Sequence, residues 1–129
     1  MNTVEQTHKN IYNGVDGSVD VGILFAKDSK VSLDIDEALL VVSDKNKLLK
    51  LDDYQSIEDL KSLRGSYILI QGDGKGVQTM LKLFIRDVST NRKDVRSKMD
   101  IFISEAAAEY FVKSTRAGRV RLEYKILSK

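Results

Sequence analysis

The chain has 129 residues, of which 42% are hydrophobic and 31% charged, a balance that suits one globular domain and excludes a disordered chain. Its formal net charge is only +2, and the lack of cysteine excludes disulfide bonds and zinc-thiolate sites. No apolar run approaches the ~18 residues needed to span a membrane, so the composition predicts a soluble protein without membrane contact.

The two halves of the chain carry opposite charge. Residues 1–81 hold 9 Lys and Arg against 13 Asp and Glu, whereas residues 82–129 hold 12 against 6. The basic residues are spread over several predicted elements and are not interleaved with aromatic residues, so we find no signal for nucleic-acid binding. We favour compensation of the two halves within one fold, with an anionic partner as the alternative.

Residues 1–16 are polar, end in Gly-containing turns and predict an N-terminal tail before a domain at residues 17–129. They lack the basic and then apolar layout of a secretory signal. This favours an intracellular protein or a component of an assembly, with a processed secreted form as the alternative.

The domain opens with two predicted strands. Apolar residues recur at every second position in residues 19–26, which predicts a strand with one buried face. A compact apolar run at residues 38–43 predicts a buried strand. The acidic cluster at residues 34–37 lacks the glycine and the terminal glutamate of a calcium loop, so we interpret it as a solvated turn.

A short helix and a hairpin follow. Residues 56–64 predict a helix of about two turns, with Ser56 as its N-cap and Gly65 as its stop. Residues 66–71 predict a strand, and the glycines of residues 71–76 predict the tight turn of a hairpin.

The hairpin returns through a predicted strand at residues 79–86. Its glycine-rich turn contains Lys75, but no Ser or Thr follows this lysine and no helix starts there, so we reject a phosphate-binding loop. Residues 87–98 then form a polar loop between two strands, which is a usual position for binding residues.

The last third of the chain is predicted to be strand, helix and strand. Residues 99–104 favour a strand, and Ser104 is a suitable N-cap for a helix over residues 105–113. After Gly118, strict alternation in residues 120–126 predicts a strand with one exposed face. We expect this last strand to pair with the region of residues 79–86 and to close a barrel.

This ordered set of elements resembles the double-psi β-barrel domain of bacterial expansins and, more faintly, rare lipoprotein A-like barrels. The resemblance covers roughly residues 17–127, and its closest local matches lie at residues 65–70, 85–87, 103–104 and 118–124. It implies a mainly β fold: a single six-stranded, pseudo-twofold, double-psi-type β-barrel with two short helices. In expansins, the groove of the barrel binds cell-wall polysaccharide and loosens it.

Several groove residues of expansin-like barrels are absent. The first predicted strand offers no threonine or tyrosine, and Val88 follows Asp87 where the family has an aromatic residue. A gapless alignment puts Phe102 at the position of the essential aspartate. Asp100 lies two residues earlier, ~7 Å away along the strand, and would reach the groove only through a bulge.

The candidate substrate-binding residues are two carboxylates, three basic residues of the polar loop and one tyrosine: Asp87, Asp100, Arg92, Lys93, Arg96 and Tyr54. Asp87 and Asp100 are the one carboxylate pair to test for glycosidic chemistry, although ion pairs with neighbouring cations are the favoured role. The lone histidine, His8, lies in the tail and supports neither a triad nor a metal site. We predict no catalytic residue, cofactor or metal.

We therefore expect a non-catalytic β-barrel module with an expansin-like frame, which binds a protein partner or forms part of a larger assembly. The alternative is an expansin-like protein that binds and loosens cell-wall polysaccharide, either peptidoglycan or cellulose. In that case the basic loop residues would meet acidic wall polymers. Enzymatic cleavage of a glycan is a third and weaker hypothesis.

Overall fold

The computed structural model describes residues 17–25, 32–41, 61–89, 99 and 101–127. Within these ranges, six strands close into a barrel and one short helix follows the fifth strand. The elements are β1 (Gly17–Leu24), β2 (Glu37–Val41), β3 (Tyr67–Gly72), β4 (Thr79–Ser89), β5 (Ile101–Ser104), α1 (Glu105–Ala108) and β6 (Arg119–Leu127). The predicted mainly β, six-stranded barrel is confirmed.

The order of the strands around the barrel is β1, β5, β2, β4, β3, β6 and back to β1. The pairs β1–β5 and β2–β4 are parallel, and the other four pairs are antiparallel. When β1, β2 and β3 are exchanged with β4, β5 and β6, respectively, every strand pair maps onto an existing pair of the same type, parallel or antiparallel. The barrel thus has an internal twofold relation at the level of strands, although the sequence shows no internal repeat.

The core lies inside the barrel because apolar residues alternate along its strands. In β6, Val120, Leu122 and Tyr124 are buried, whereas the residues between them are exposed. The other strands contribute branched side chains that are fully buried, among them Val21, Ile68, Ile70, Leu83, Ile85, Ile101 and Ile103. Closure gives each of the six described strands a neighbour on both sides, so none of them is an edge strand.

The helix begins as predicted but is shorter. The Ser104 hydroxyl accepts a hydrogen bond of 3.0 Å from the Ala107 N–H, which confirms Ser104 as the N-cap. Regular helix ends at Ala108 rather than at residue 113, because the N–H groups of Tyr110 and Phe111 bond to carbonyls three residues back. This tighter turn brings Phe111 into the core.

The predicted pairing of the last strand with residues 79–86 is wrong. β6 pairs with β1 and β3, and β3 lies between β6 and β4. A strand in a barrel has two edges; β3 uses one for its hairpin partner β4 and the other for β6.

The predicted helix at residues 56–64 lies mostly outside the described residues. In its described end, Lys61 is helical and residues 62–65 are turns, and the segment finishes at Gly65, whose φ of 88° suits a helix stop. In the described ranges, no helix has the length and hydrophobicity that a membrane span requires.

Candidate functional site

Asp87 is the one candidate residue from the sequence that lies within the described ranges. It is on β4, where its carboxylate Oδ1 is 4.0 Å from Arg64 Nε and accepts a hydrogen bond of 2.8 Å from the Val88 N–H. The Asp87 and Arg64 side chains are 56% and 71% exposed, so this is a surface ion pair. The other five candidates, Asp100, Arg92, Lys93, Arg96 and Tyr54, lie outside the described residues.

Phe102, which a gapless alignment puts at the position of the expansin aspartate, belongs to a small apolar cluster beside the main core. It packs with Leu24, Leu39 and Val41 and is almost fully buried. A β carbon at Gly22 would come within 2.5 Å of the Phe102 ring, so the ring fills the space that this glycine leaves. Phe102 is therefore a packing residue.

The most distinctive surface feature is a cluster of exposed apolar side chains. Among the described residues, five large hydrophobic side chains are exposed: Ile35, Tyr67, Val77, Phe84 and Tyr110. Three of them, Ile35, Val77 and Tyr110, line one open groove of about 540 Å³. We call this feature the apolar groove.

The apolar groove is assembled from three separate parts of the chain. Tyr110 comes from the turn after α1, Val77 from the loop between β3 and β4, and Ile35 from the turn before β2. Thr79 and Ala106 complete its walls, and Lys75 and Glu109 supply one charge of each sign.

The loop that carries Val77, residues 73–78, is held against the end of α1. Lys75 Nζ donates a hydrogen bond of 3.1 Å to the carbonyl oxygen of Glu109. A β carbon at Gly74 would lie 2.4 Å from the carbonyl oxygen of Phe111, so only glycine permits this approach of the two backbones. On this side of the groove, the backbone of the loop therefore lies directly against the backbone that follows α1.

The turn that carries Ile35 is also braced. The Asp34 N–H donates to Glu37 Oε1 at 3.0 Å, and Arg86 Nη1 lies 3.8 Å from the same carboxylate oxygen. The Arg86 guanidinium also donates to the carbonyl oxygen of Ser32, and the Phe84 N–H donates to that of Asp36 at 2.8 Å. These bonds attach the turn to β4.

The chemistry of the apolar groove suits binding. Its lining is aliphatic and aromatic apart from the hydroxyls of Thr79 and Tyr110, the ammonium of Lys75 and the carboxylate of Glu109. Within the part of the chain that the structure describes, no group of three or more His, Cys, Asp or Glu side chains could hold a metal ion.

The candidate residues predicted from the sequence do not include the three exposed apolar residues of this groove, Ile35, Val77 and Tyr110. The available signal was the occurrence of large apolar residues inside turns, at Asp34-Ile35-Asp36 and Gly76-Val77, where polar residues are usual.

In comparisons with known proteins, no family model matches the chain, and no curated protein and no solved structure matches it significantly.

Proposed function

We propose that this protein is a non-catalytic β-barrel module that binds a segment of a protein partner in the apolar groove. The observation that carries this proposal is the convergence of Ile35, Val77 and Tyr110, three exposed apolar side chains from distant parts of the sequence, on one groove. Exposed apolar side chains cost solubility, and contiguous ones mark interaction sites.

The groove is supported in a fixed shape before any partner arrives. The Lys75 bond and the Gly74 contact hold one wall, and the Arg86 and Glu37 contacts hold the opposite turn. A preformed site loses less conformational entropy on binding, which favours affinity from a small contact area.

The size of the groove favours a peptide segment over a second globular copy. A stable interface between folded proteins buries about 800 Å² on each partner, more than three side chains in one groove can supply. A short segment needs only a few apolar side chains to fill a groove of about 540 Å³.

Selection from a peptide-display library tests the proposal. We expect enriched peptides to carry two or more large apolar residues, and we expect Tyr110→Ala and Val77→Asp each to weaken their binding at least about tenfold. Tyr67→Ala is the matched control, because Tyr67 is also exposed but contacts Phe84 and Lys82 outside the groove.

Two results would reject this function. One is a set of enriched peptides that bind the groove variants as well as the original protein. The other is a dimer, detected by light scattering, that Val77→Asp dissociates, because a second copy would then be the occupant.

A second candidate function is expansin-like binding of wall polysaccharide. It is favoured by the twofold relation of the strands, which agrees with the implied double-psi barrel, and by the exposed carboxylate of Asp87. Co-sedimentation with insoluble peptidoglycan and with cellulose tests it, using Asp87→Ala and Asp100→Ala. Equal retention of the original protein and both variants would eliminate this candidate.

A further inference from the structure

A second surface feature lies on the outer face of β1, β6 and β3. Glu123 of β6 is paired with Ser18 of β1 on one side and with Gln71 of β3 on the other. These three residues line a cleft of about 250 Å³, together with Asp73, Gln78 and Arg121. We call it the polar cleft.

Gln71 is unusual in this row because it is only 7% exposed although it lies on the outer face. Its Nε2 donates a hydrogen bond of 2.8 Å to Glu123 Oε1. A carboxylate only accepts hydrogen bonds, so this bond fixes the orientation of the amide and turns Gln71 Oε1 away from Glu123. Within the described ranges, Oε1 accepts no hydrogen bond.

Gln71 is almost fully buried, and an amide oxygen of such a residue normally accepts a hydrogen bond, because buried polar groups are normally hydrogen-bonded. Gln71 lines the polar cleft, so a ligand there can supply the missing donor. The ligand that suits this position therefore carries N–H or O–H groups.

The charges of the polar cleft select among such ligands. Asp73 and Glu123 make no ion pair with any described residue. Arg121 is paired with Asp20, with 3.8 Å between Nη1 and Oδ1, so its positive charge is offset. The cleft thus combines two carboxylates that form no ion pair with a described residue and an amide oxygen without a described donor, and a cation with N–H donors matches all three.

We propose that the polar cleft binds the ammonium group of a primary amine, held between the carboxylates of Glu123 and Asp73 with one N–H donated to Gln71 Oε1. An alkylammonium group has several N–H donors and no acceptor, as this set of acceptors requires. The group could belong to a free diamine or to a lysine side chain. This proposal does not depend on occupation of the apolar groove.

Nuclear magnetic resonance titration of the full chain with n-butylammonium chloride at low salt tests the proposal. We expect saturable shifts of the backbone amide signals of Gln71, Gly72 and Glu123. Glu123→Gln and Asp73→Asn should each weaken binding about three- to fivefold, the range for a partly exposed ion pair. Asp36→Asn is the matched control, because it removes the same charge from an exposed residue that lines neither the cleft nor the groove.

Further ligands identify the chemistry and its source. Tetramethylammonium and n-butanol should bind much more weakly, because the first lacks N–H donors and the second lacks charge. Tighter binding of 1,5-diaminopentane than of Nα-acetyl-lysine amide would indicate a free diamine, and equal binding would indicate that a lysine side chain suffices.

Three results would overturn the proposal. The first is equal affinity of n-butylammonium for the original protein and for both cleft variants. The second is an equal response to n-butanol, and the third is a response to calcium chloride without one to n-butylammonium.

Discussion

Gly74 lies so close to Phe111 that a β carbon at position 74 would be 2.4 Å from the carbonyl oxygen of Phe111. We predict that Gly74→Ala lowers the free energy of unfolding by about 1–3 kcal/mol, because the loop must move away from α1. Chemical denaturation measures this change.

Gly76→Ala is the control for this substitution. Gly76 has a φ of 89° but no atom within 4 Å of the added β carbon, so only backbone strain of about 1–2 kcal/mol is expected. The two alanine variants should also differ in the groove, since only Gly74→Ala displaces the wall that carries Val77. Equal binding of selected peptides by both would contradict this account of the loop.

Tyr110 and Phe111 are adjacent, but truncation of Phe111 should lower stability, whereas truncation of Tyr110 should lower peptide binding. Phe111 is 1% exposed and packs in the core, so Phe111→Ala should cost about 3–5 kcal/mol of unfolding free energy. Tyr110 is 49% exposed, so Tyr110→Ala should change the unfolding free energy by less than about 0.5 kcal/mol. The same substitution should reduce peptide binding. Thermal unfolding together with a binding assay separates these effects, and a large loss of stability in Tyr110→Ala would reject the described orientation.

Ser104 caps α1 in a buried position, and its removal should be costly. Ser104→Ala leaves the Ala107 N–H without its acceptor, and we expect a loss of about 1–2 kcal/mol. Ser114→Ala is the control, because the Ser114 hydroxyl accepts a longer bond of 3.3 Å from the Arg116 N–H in an exposed turn. Denaturation midpoints of the two variants should differ accordingly, and equal midpoints would count against the cap.

The ion pair between Asp87 and Arg64 should contribute little to stability. Both side chains are more than half exposed, so a double-mutant cycle with Asp87→Asn and Arg64→Gln should give a coupling below about 1 kcal/mol. The coupling should fall further at high salt because an exposed pair is screened. A larger coupling that persists at high salt would mean that Asp87 has a buried partner.

The sequence predicted strands well where one face is buried. The alternation of residues 120–126 predicts one face packed in the core, and β6 shows the expected burial at Val120, Leu122 and Tyr124, whereas residues 125–127 are all half-buried. The neighbours of β6 could not be predicted in the same way, because alternation specifies which side chains face inward and says nothing about which strands lie alongside.

The length of α1 shows a second limit of structure prediction from the sequence. The Ala-rich segment has helical propensity up to residue 113, but burial of Phe111 in the barrel tightens the chain after Ala108. The apolar groove depends on this turn, because it leaves Tyr110 at the surface next to Val77. Such a groove forms by tertiary packing between a loop and a helix end. Local sequence patterns do not predict this packing.

The loop of residues 73–78 lies between the apolar groove and the polar cleft. Lys75 and Val77 face the apolar groove, whereas Asp73 and Gln78 line the polar cleft. A shift of this loop caused by an occupant on one side therefore reshapes the other side as well. Thermodynamic linkage then requires any influence of a peptide on amine affinity to be matched by an equal influence of the amine on peptide affinity.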